Sequence, residues 1–304
     1  MCGDRPLGRI REVYFPPIRP IMSSTILITG ASSGIGLATA LHFHAAGWQV
    51  VATMRAPERD TPLHGLERVL VTRLDVQDGP SIEAAVQEAI ERFGSIDVLL
   101  NNAGYGAYGP LEVTSDESMS RQFDVNVFGI LRTTRAILPH FRTQGHGVVI
   151  NVSSMGGRFA FPLGALYHGT KFAVEGLSEA LQYELASLGI RVKVIEPGAI
   201  RTDFAGRSFD FVNDPTIDAY QPLVQRFFDV LTPLMATAGS PDSVAQTIFR
   251  AATDGASQLR YTAGGDAEQI IGARRQMDDA SFHAMIGGQF GIDLTAISGD
   301  GNAT

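Results

Sequence analysis

Cysteine is all but missing from this 304-residue chain, which has only Cys2. A lone thiol forms no internal disulfide and frames no metal site, and it fits a reducing compartment, the cytoplasm. No run approaches the ~20 apolar residues that a membrane-spanning helix needs. Dense Lys/Arg runs are also missing, and 24 basic against 32 acidic residues give a formal charge of −8. That balance offers no electrostatic reason to expect nucleic acid. Neither a Cys pair nor His-Glu-x-x-His occurs, and His42 and His44, two apart on a helix, face apart, so no metal site is expected. Internal repeats and low-complexity tracts are absent too.

What remains is an ordinary globular composition, 44% apolar and 18% charged, long enough to bury a full core. The first residues stand apart, with four arginines, four prolines and no periodic apolar face before Met22. Lacking an apolar centre, they do not read as a signal peptide. Residues 1–22 are therefore set aside as an extension, and 23–304 are expected to form a single domain.

The organising stretch begins at Ser24. A short β-favouring run, Thr25-Ile26-Leu27-Ile28, leads into Thr29-Gly30-Ala31-Ser32-Ser33-Gly34-Ile35-Gly36 and then a helical pattern. Strand, glycine-rich turn and helix together make the geometry that receives a pyrophosphate. Glycines let the backbone approach the phosphates, and the unpaired N–H groups of the helix start attract anions. Glycine-rich turns end many strands, so the context carries the reading: a second strand, 48–53, follows the helix.

Further apolar strands are predicted at 69–74, 97–100, 148–152, 191–195 and 259–262. Helical spacing covers 81–93, about 115–141 with Pro139 marking the end, about 165–188 and 240–252. Near-continuously apolar strands alternating with helices predict an α/β fold, a Rossmann-like doubly wound parallel sheet with helices on both faces. From 201 to 238 the periodicity weakens amid aromatics and prolines. The segment 203–238 reads as a lid over a site or as a helical pair closing the core.

Tyr167 and Lys171, four apart, project from one helix face just after the serine-bearing strand end Ser153-Ser154. In parallel sheets ligands collect at such strand ends. Taken in order, Thr29-Gly30-x-x-x-Gly34-x-Gly36, Asn101-Asn102-Ala103-Gly104, Asn126, Ser154, Tyr167-x-x-x-Lys171 and Pro197-Gly198-x-x-x-Thr202 resemble the motifs of the short-chain dehydrogenase/reductase family over about residues 23–265. Softer cues, Val51 to Arg55 and Leu259 to Thr262 followed by Met277-Asp278-Asp279, resemble its 17β-hydroxysteroid and retinol dehydrogenase branch. Within Tyr167-His168-Gly169-Thr170-Lys171, Thr170 departs from the family's usual serine, with little consequence expected, since neither intervening side chain carries the chemistry.

The resemblance implies a nicotinamide-dependent oxidoreductase interconverting a carbonyl and an alcohol, with Tyr167 as acid/base. A free phenol titrates near 10, so acting at neutrality requires its phenolate to be stabilised by about 3 units, roughly 4 kcal/mol. The Lys171 ammonium, helped by the oxidised nicotinamide ring, is expected to supply that. Ser154 is expected to bond the substrate oxygen, while Ser153 is structural. Asn126 either completes a proton relay to Lys171 through its backbone and a water, or satisfies a local backbone group. For the dinucleotide, the resemblance implies Gly30, Gly34, Ile35 and Gly36 at the pyrophosphate and Asp75 and Val76 at the adenine. Asn102, Ala103 and Gly104 lie on the adenosine-ribose side, Tyr167 and Lys171 at the nicotinamide ribose, and Pro197, Gly198, Ile200 and Thr202 at its amide.

An acid ending the second strand would favour NAD. This chain has Met54-Arg55 and no acid before Glu58, so NADP(H) is expected, with Arg55 and Ser32 or Ser33 around the 2′-phosphate. The aromatic and aliphatic residues of the segment from Phe204 to Leu234 point to a steroid-, retinoid- or lipid-like substrate. Family likeness implies a homodimer or homotetramer through the two long helices. The competing readings are an NAD-linked dehydrogenase of a small polar alcohol and a non-catalytic nucleotide sensor.

Overall fold

The structure, a computed structural model, describes residues 24–202 and 208–294. The 1–22 extension and Phe204 thus lie outside the described residues. Within them the strands are β1 (Thr25–Thr29), β2 (Gln49–Met54), β3 (Val69–Arg73), β4 (Val98–Asn101), β5 (Gly106–Tyr108), β6 (Gly147–Val152), β7 (Ile190–Pro197), β8 (Phe209–Phe211) and β9 (Arg260–Ala263). The α-helices are α1 (Gly34–Ala45), α2 (Gly79–Phe93), α3 (Asp116–Phe123), α4 (Gly129–Gln144), α5 (Ala165–Ala186), α6 (Gln221–Ala236), α7 (Pro241–Thr253), α8 (Gly265–Gln276) and α9 (Asp279–Gln289).

Seven strands form one parallel sheet in the order β3-β2-β1-β4-β6-β7-β9, and β5 and β8 pair in a small second sheet. The order reverses between β1 and β4, so the chain leaves β1 in one direction and β4 in the other. That opens a crevice at the carboxyl ends of the strands.

Alternation along each strand divides the core. Ile26, Ile28, Val50, Ala52, Val98 and Leu100 face α1 and α7, where Ala40, Phe43, Val244 and Ile248 cover them. Leu27, Val51, Leu99 and Val149 face α2, α4 and α5 through Ile82, Ala85, Ile137, Phe141 and Leu185. Both faces are buried, which is why the strands read as continuous apolar runs rather than alternating ones. No helix lies between β2 and β3; Leu63 plugs the core there from an irregular segment. Asp78, Ser115 and Ser240 cap α2, α3 and α7 by accepting the N–H three residues on, each worth about 1 kcal/mol.

The expected long helix at 115–141 is three pieces, with a π-helical turn, Asp124–Phe128, between α3 and α4. Pro139 does not end it: α4 continues to Gln144 and stops at Gly145, which takes φ +76. The carbonyl four residues before Pro139 belongs to exposed Arg135, where water can bond it, while Ile137 and Phe141 hold the helix on the core.

The weak order predicted after 201 is also corrected. Pro222 sits in the first turn of α6, where a missing N–H costs nothing, and Phe227 anchors the helix in an aromatic cluster with Phe159, Phe282 and Phe290. The helices α8 and α9 have no counterpart in the sequence reading. Among the described residues no helix is long and apolar enough to cross a membrane.

Candidate functional site

The crevice is a cleft of about 600 Å³ bounded by the turn after β1, the ends of β4, β6 and β7, and α5 and α6. At its floor the β1–α1 turn folds tightly. Gly30 takes φ +71, and a Cβ on Gly36 would lie 2.2 Å from the Gly30 carbonyl oxygen, so only glycine lets α1 close over the strand end. Ser33 holds the N-cap position without using its side chain as a cap, and the first turn of α1 carries no acid. This open, acid-free helix start fits a pyrophosphate.

Asn102 fixes the neighbouring strand end, its Nδ2 donating to the carbonyls of Thr29 (3.0 Å) and Gly30 (3.1 Å). Behind it Asn101 donates to Asn151 Oδ1 (2.9 Å) and Thr134 Oγ1 (3.1 Å), and accepts from Thr133 (2.6 Å). These buried amides have their bonds satisfied and so lock β4, β6 and α4 in one register.

Across the cleft the Ser154 hydroxyl accepts the Gly156 N–H (3.0 Å) and is hydrogen-bonded to the Tyr167 phenol. One turn along α5, Lys171 Nζ donates to the Val152 carbonyl (3.0 Å) and stands 5.7 Å from the Tyr167 ring centre. Burial draws the Lys171 ammonium down to about 8, with the Glu175 carboxylate working the other way. Burial also pushes the Tyr167 phenol up from its ordinary value, against the Ser154 bond. Among the protein's own groups, desolvation of the phenolate outweighs the help it receives from Ser154.

The profile of the family described as short chain dehydrogenase matches residues 24–212. An uncharacterized oxidoreductase of Schizosaccharomyces pombe is 46% identical over 244 residues, covering 79% of this chain and 100% of that one. This chain belongs to the short-chain dehydrogenase family. It is a dehydrogenase or reductase. Among solved structures, the 3-ketoacyl-(acyl-carrier-protein) reductase of Brucella melitensis, complexed with NADH, matches with TM-score 0.69 and 29% identity over 82% of this chain and 100% of that one. ElxO with NADP bound matches with TM-score 0.68 and 27% identity, over the same shares.

In this short-chain dehydrogenase the cleft brings together nearly all the residues singled out from the sequence: Gly30, Ser32, Ser33, Gly34, Ile35, Arg55, Asp75, Val76, Asn102, Ala103, Gly104, Ser154, Tyr167, Lys171, Pro197, Gly198, Ile200 and Thr202. Two do not line it. Gly36 is buried behind the turn, where it admits the Gly30 carbonyl rather than a ligand. Asn126 is buried in the π-helical turn, its side chain bonding both the N–H (3.1 Å) and carbonyl (2.8 Å) of Tyr105 and Thr170 Oγ1 (3.2 Å). The side chain thus does the local backbone work that was its alternative reading.

The intervening residues of the Tyr167/Lys171 motif hold the segments around it. Thr170 ties Asn126 to the Tyr167 carbonyl (2.8 Å). His168 Nδ1 bonds the Gly156 carbonyl (2.8 Å), and burial lowers it to about 4, so it stays neutral and pins the segment after Ser154. Ser153 is buried against Gly157. Arg158 then bonds Glu196 (3.3 Å) at the end of β7, and Arg260 reaches Glu175 (2.8 Å).

Asp266, unmarked by any motif, accepts the Ala199 N–H (2.7 Å) in the loop after β7. A Cβ on Gly198 would fall 2.1 Å from its carboxylate, and one on Gly264 2.7 Å. Two glycines thus make room for one acid, a pattern visible only when β7 and β9 lie side by side.

Proposed function

We propose that this chain is an NADP(H)-dependent reductase and dehydrogenase that interconverts a carbonyl and an alcohol on an apolar substrate, with Tyr167 as acid/base. The observation that carries the reading is the hydrogen-bonded Ser154–Tyr167 pair, with Lys171 one turn on, facing a cleft that begins at the open start of α1. When bound, a reduced nicotinamide supplies the hydride that ends on the carbonyl carbon. Ser154 and Tyr167 present two hydroxyls to one substrate oxygen. A phenol held above its ordinary value keeps its proton at neutrality and enters reduction as the acid, giving that proton to the oxygen as it becomes an alkoxide. The Lys171 ammonium stabilises the phenolate left behind.

Arg55, exposed at the end of β2 and lining the cleft, makes no ion pair among the described residues, which supports a 2′-phosphate as its partner. Leu231, Leu234 and Met235 of α6 give the outer wall an apolar face, which supports an apolar substrate. The exposed aromatics Phe172 and Tyr183 on α5 and Phe128 before α4 support self-association through these helices. A single cysteine supports a cytoplasmic setting.

The test is reduction of hydrophobic ketones followed by NADPH absorbance across pH. Lys171 loses its charge as pH rises through about 8. Expressed as kcat/KM for NADPH, which reports groups of the free protein, the rate is expected to be flat below that value. Above it the rate should fall toward about tenfold per pH unit. Lys171→Arg, whose guanidinium keeps its charge past this range, should remove the falling limb. A limb left in place would assign it to another group.

Asp266 is a positioning residue in this reading, since it holds the loop of Pro197, Gly198 and Ile200 that faces the nicotinamide amide. Removing a half-buried charged acceptor leaves the Ala199 N–H without its partner, so Asp266→Ala should lower kcat/KM for NADPH about tenfold. Asp266→Asn, which keeps a carbonyl acceptor, should recover most of it. Equal loss in both variants would assign the effect to charge instead.

A further inference from the structure

Beside the catalytic cleft lies a second cavity of about 160 Å³, lined by α6, α8, α9 and the segment after β6 and open to solvent on one side. The two cavities share Met155, Phe161, Leu231 and Leu234 as a common partition. Leu231 and Leu234 are one turn apart on α6, and Met155 directly follows Ser154, so the partition begins at the reacting groups. Unbranched Met155 has the torsional freedom to let a chain pass.

The far wall is Phe227, Ile270, Ile286 and Phe290. It is stiff as well as apolar, for Phe290 stacks on Phe161 (6.1 Å, 16°) and Phe227 (6.5 Å, 21°). Only two of its residues, Asp266 and Gln289, carry polar side chains. Asp266 Oδ2 accepts the Ala199 N–H, and Gln289 is exposed at the edge. Water against these apolar walls finds few polar partners there and is readily displaced by an apolar group, and about 150 Å³ of apolar space is enough for a benzene ring.

We infer that this cavity is a tail subsite: the substrate is a ketone bearing a narrow apolar chain, about six carbons or one ring of which leaves the Ser154–Tyr167 site and threads past Met155 into it. This rests on the carbonyl-reducing reading above and narrows it, because a space one ring across admits a lipid-like chain and excludes the width of a fused polycyclic skeleton. Since the tail is held alike before and during the reaction, its binding should appear in KM and leave kcat unchanged.

The experiment is a series of straight-chain methyl ketones of increasing length with NADPH. Each methylene that enters the cavity should raise kcat/KM about three- to fourfold, levelling off after about six carbons. Ile270→Trp, which fills the cavity from α8, should abolish that dependence while the shortest ketones react as in the parent protein. Val230→Trp, filling it from α6, is the second variant should the first misfold. A chain-length dependence absent in the parent, or unchanged in a folded tryptophan variant, overturns the tail subsite while leaving carbonyl reduction intact. Benzene, which has no carbonyl, supplies a readout independent of turnover. It should raise the Tm of the parent protein and not that of Ile270→Trp, and no shift in the parent overturns the cavity as a binding site whatever reaction the protein runs.

Discussion

Tyr167→Phe is expected to lower kcat for ketone reduction by about 10³-fold, within the range of roughly 10²–10⁴ for a positioned general acid. The substitution removes one oxygen and keeps the ring, which packs 5.2 Å from Tyr108 and 5.6 Å from His168. The fold should therefore persist, and burying a phenyl in place of a phenol should leave Tm unchanged or slightly raised. Binding of NADPH, followed by its fluorescence, should weaken by only a few-fold, because the residues ringing the rest of the cleft are untouched. Loss of the acid then appears in kcat rather than in cofactor affinity. Parent-like turnover of every accepted ketone by a folded Tyr167→Phe protein would remove Tyr167 from the chemistry. Ser154, hydrogen-bonded to it, would then be the first hydroxyl to substitute next.

The second large effect concerns cofactor choice. Arg55→Asp should lower kcat/KM for NADPH by about 10²–10³-fold and leave NADH within a few-fold of the parent, inverting the preference. Hydrogen bonds to charged groups contribute about 1.5–3 kcal/mol each, and a guanidinium can make two to one phosphate. An aspartate in its place adds repulsion against the phosphate and an acceptor for the ribose hydroxyls that NADH carries there. Because Arg55 is exposed, part of its contribution is screened, so the parent's KM for NADPH should rise with salt while that for NADH holds steady. Equal losses with both cofactors would mean that Arg55 shapes the turn after β2 and does not recognise the phosphate. The NADH-bound reductase among the structural relatives makes that comparison necessary.

Much of the site was legible because its signals are local. A glycine turn between strand and helix spans eight residues, and Tyr167 and Lys171 are one helical turn apart, so their relative placement follows from helix geometry alone. The buried strands were equally readable, since a sheet covered on both faces demands continuous apolar runs such as Val148 to Val152. Elements whose local preferences conflict were misread. Pro139 signals a stop, yet α4 runs through it because Ile137 and Phe141 are fixed in the core and the freed carbonyl belongs to exposed Arg135. The prolines of α6 weakened its periodicity, while Phe227 and its aromatic neighbours keep it helical.

By itself the sequence determined the parallel doubly wound sheet, the family and the cluster of groups at its carboxyl edge, each set by patterns only a few residues long. The tertiary structure decided what those groups are like. It turned the Asn126 side chain toward Tyr105, placed Asp266 against Gly198, and joined α6, α8 and α9 into the wall of a second cavity. It also set the direction in which Tyr167 and Lys171 titrate, upward for the phenol and downward for the ammonium. The physical reason is shared: desolvation and close contact depend on which distant segments meet, and only the folded chain brings residue 266 against 198 or buries residue 167.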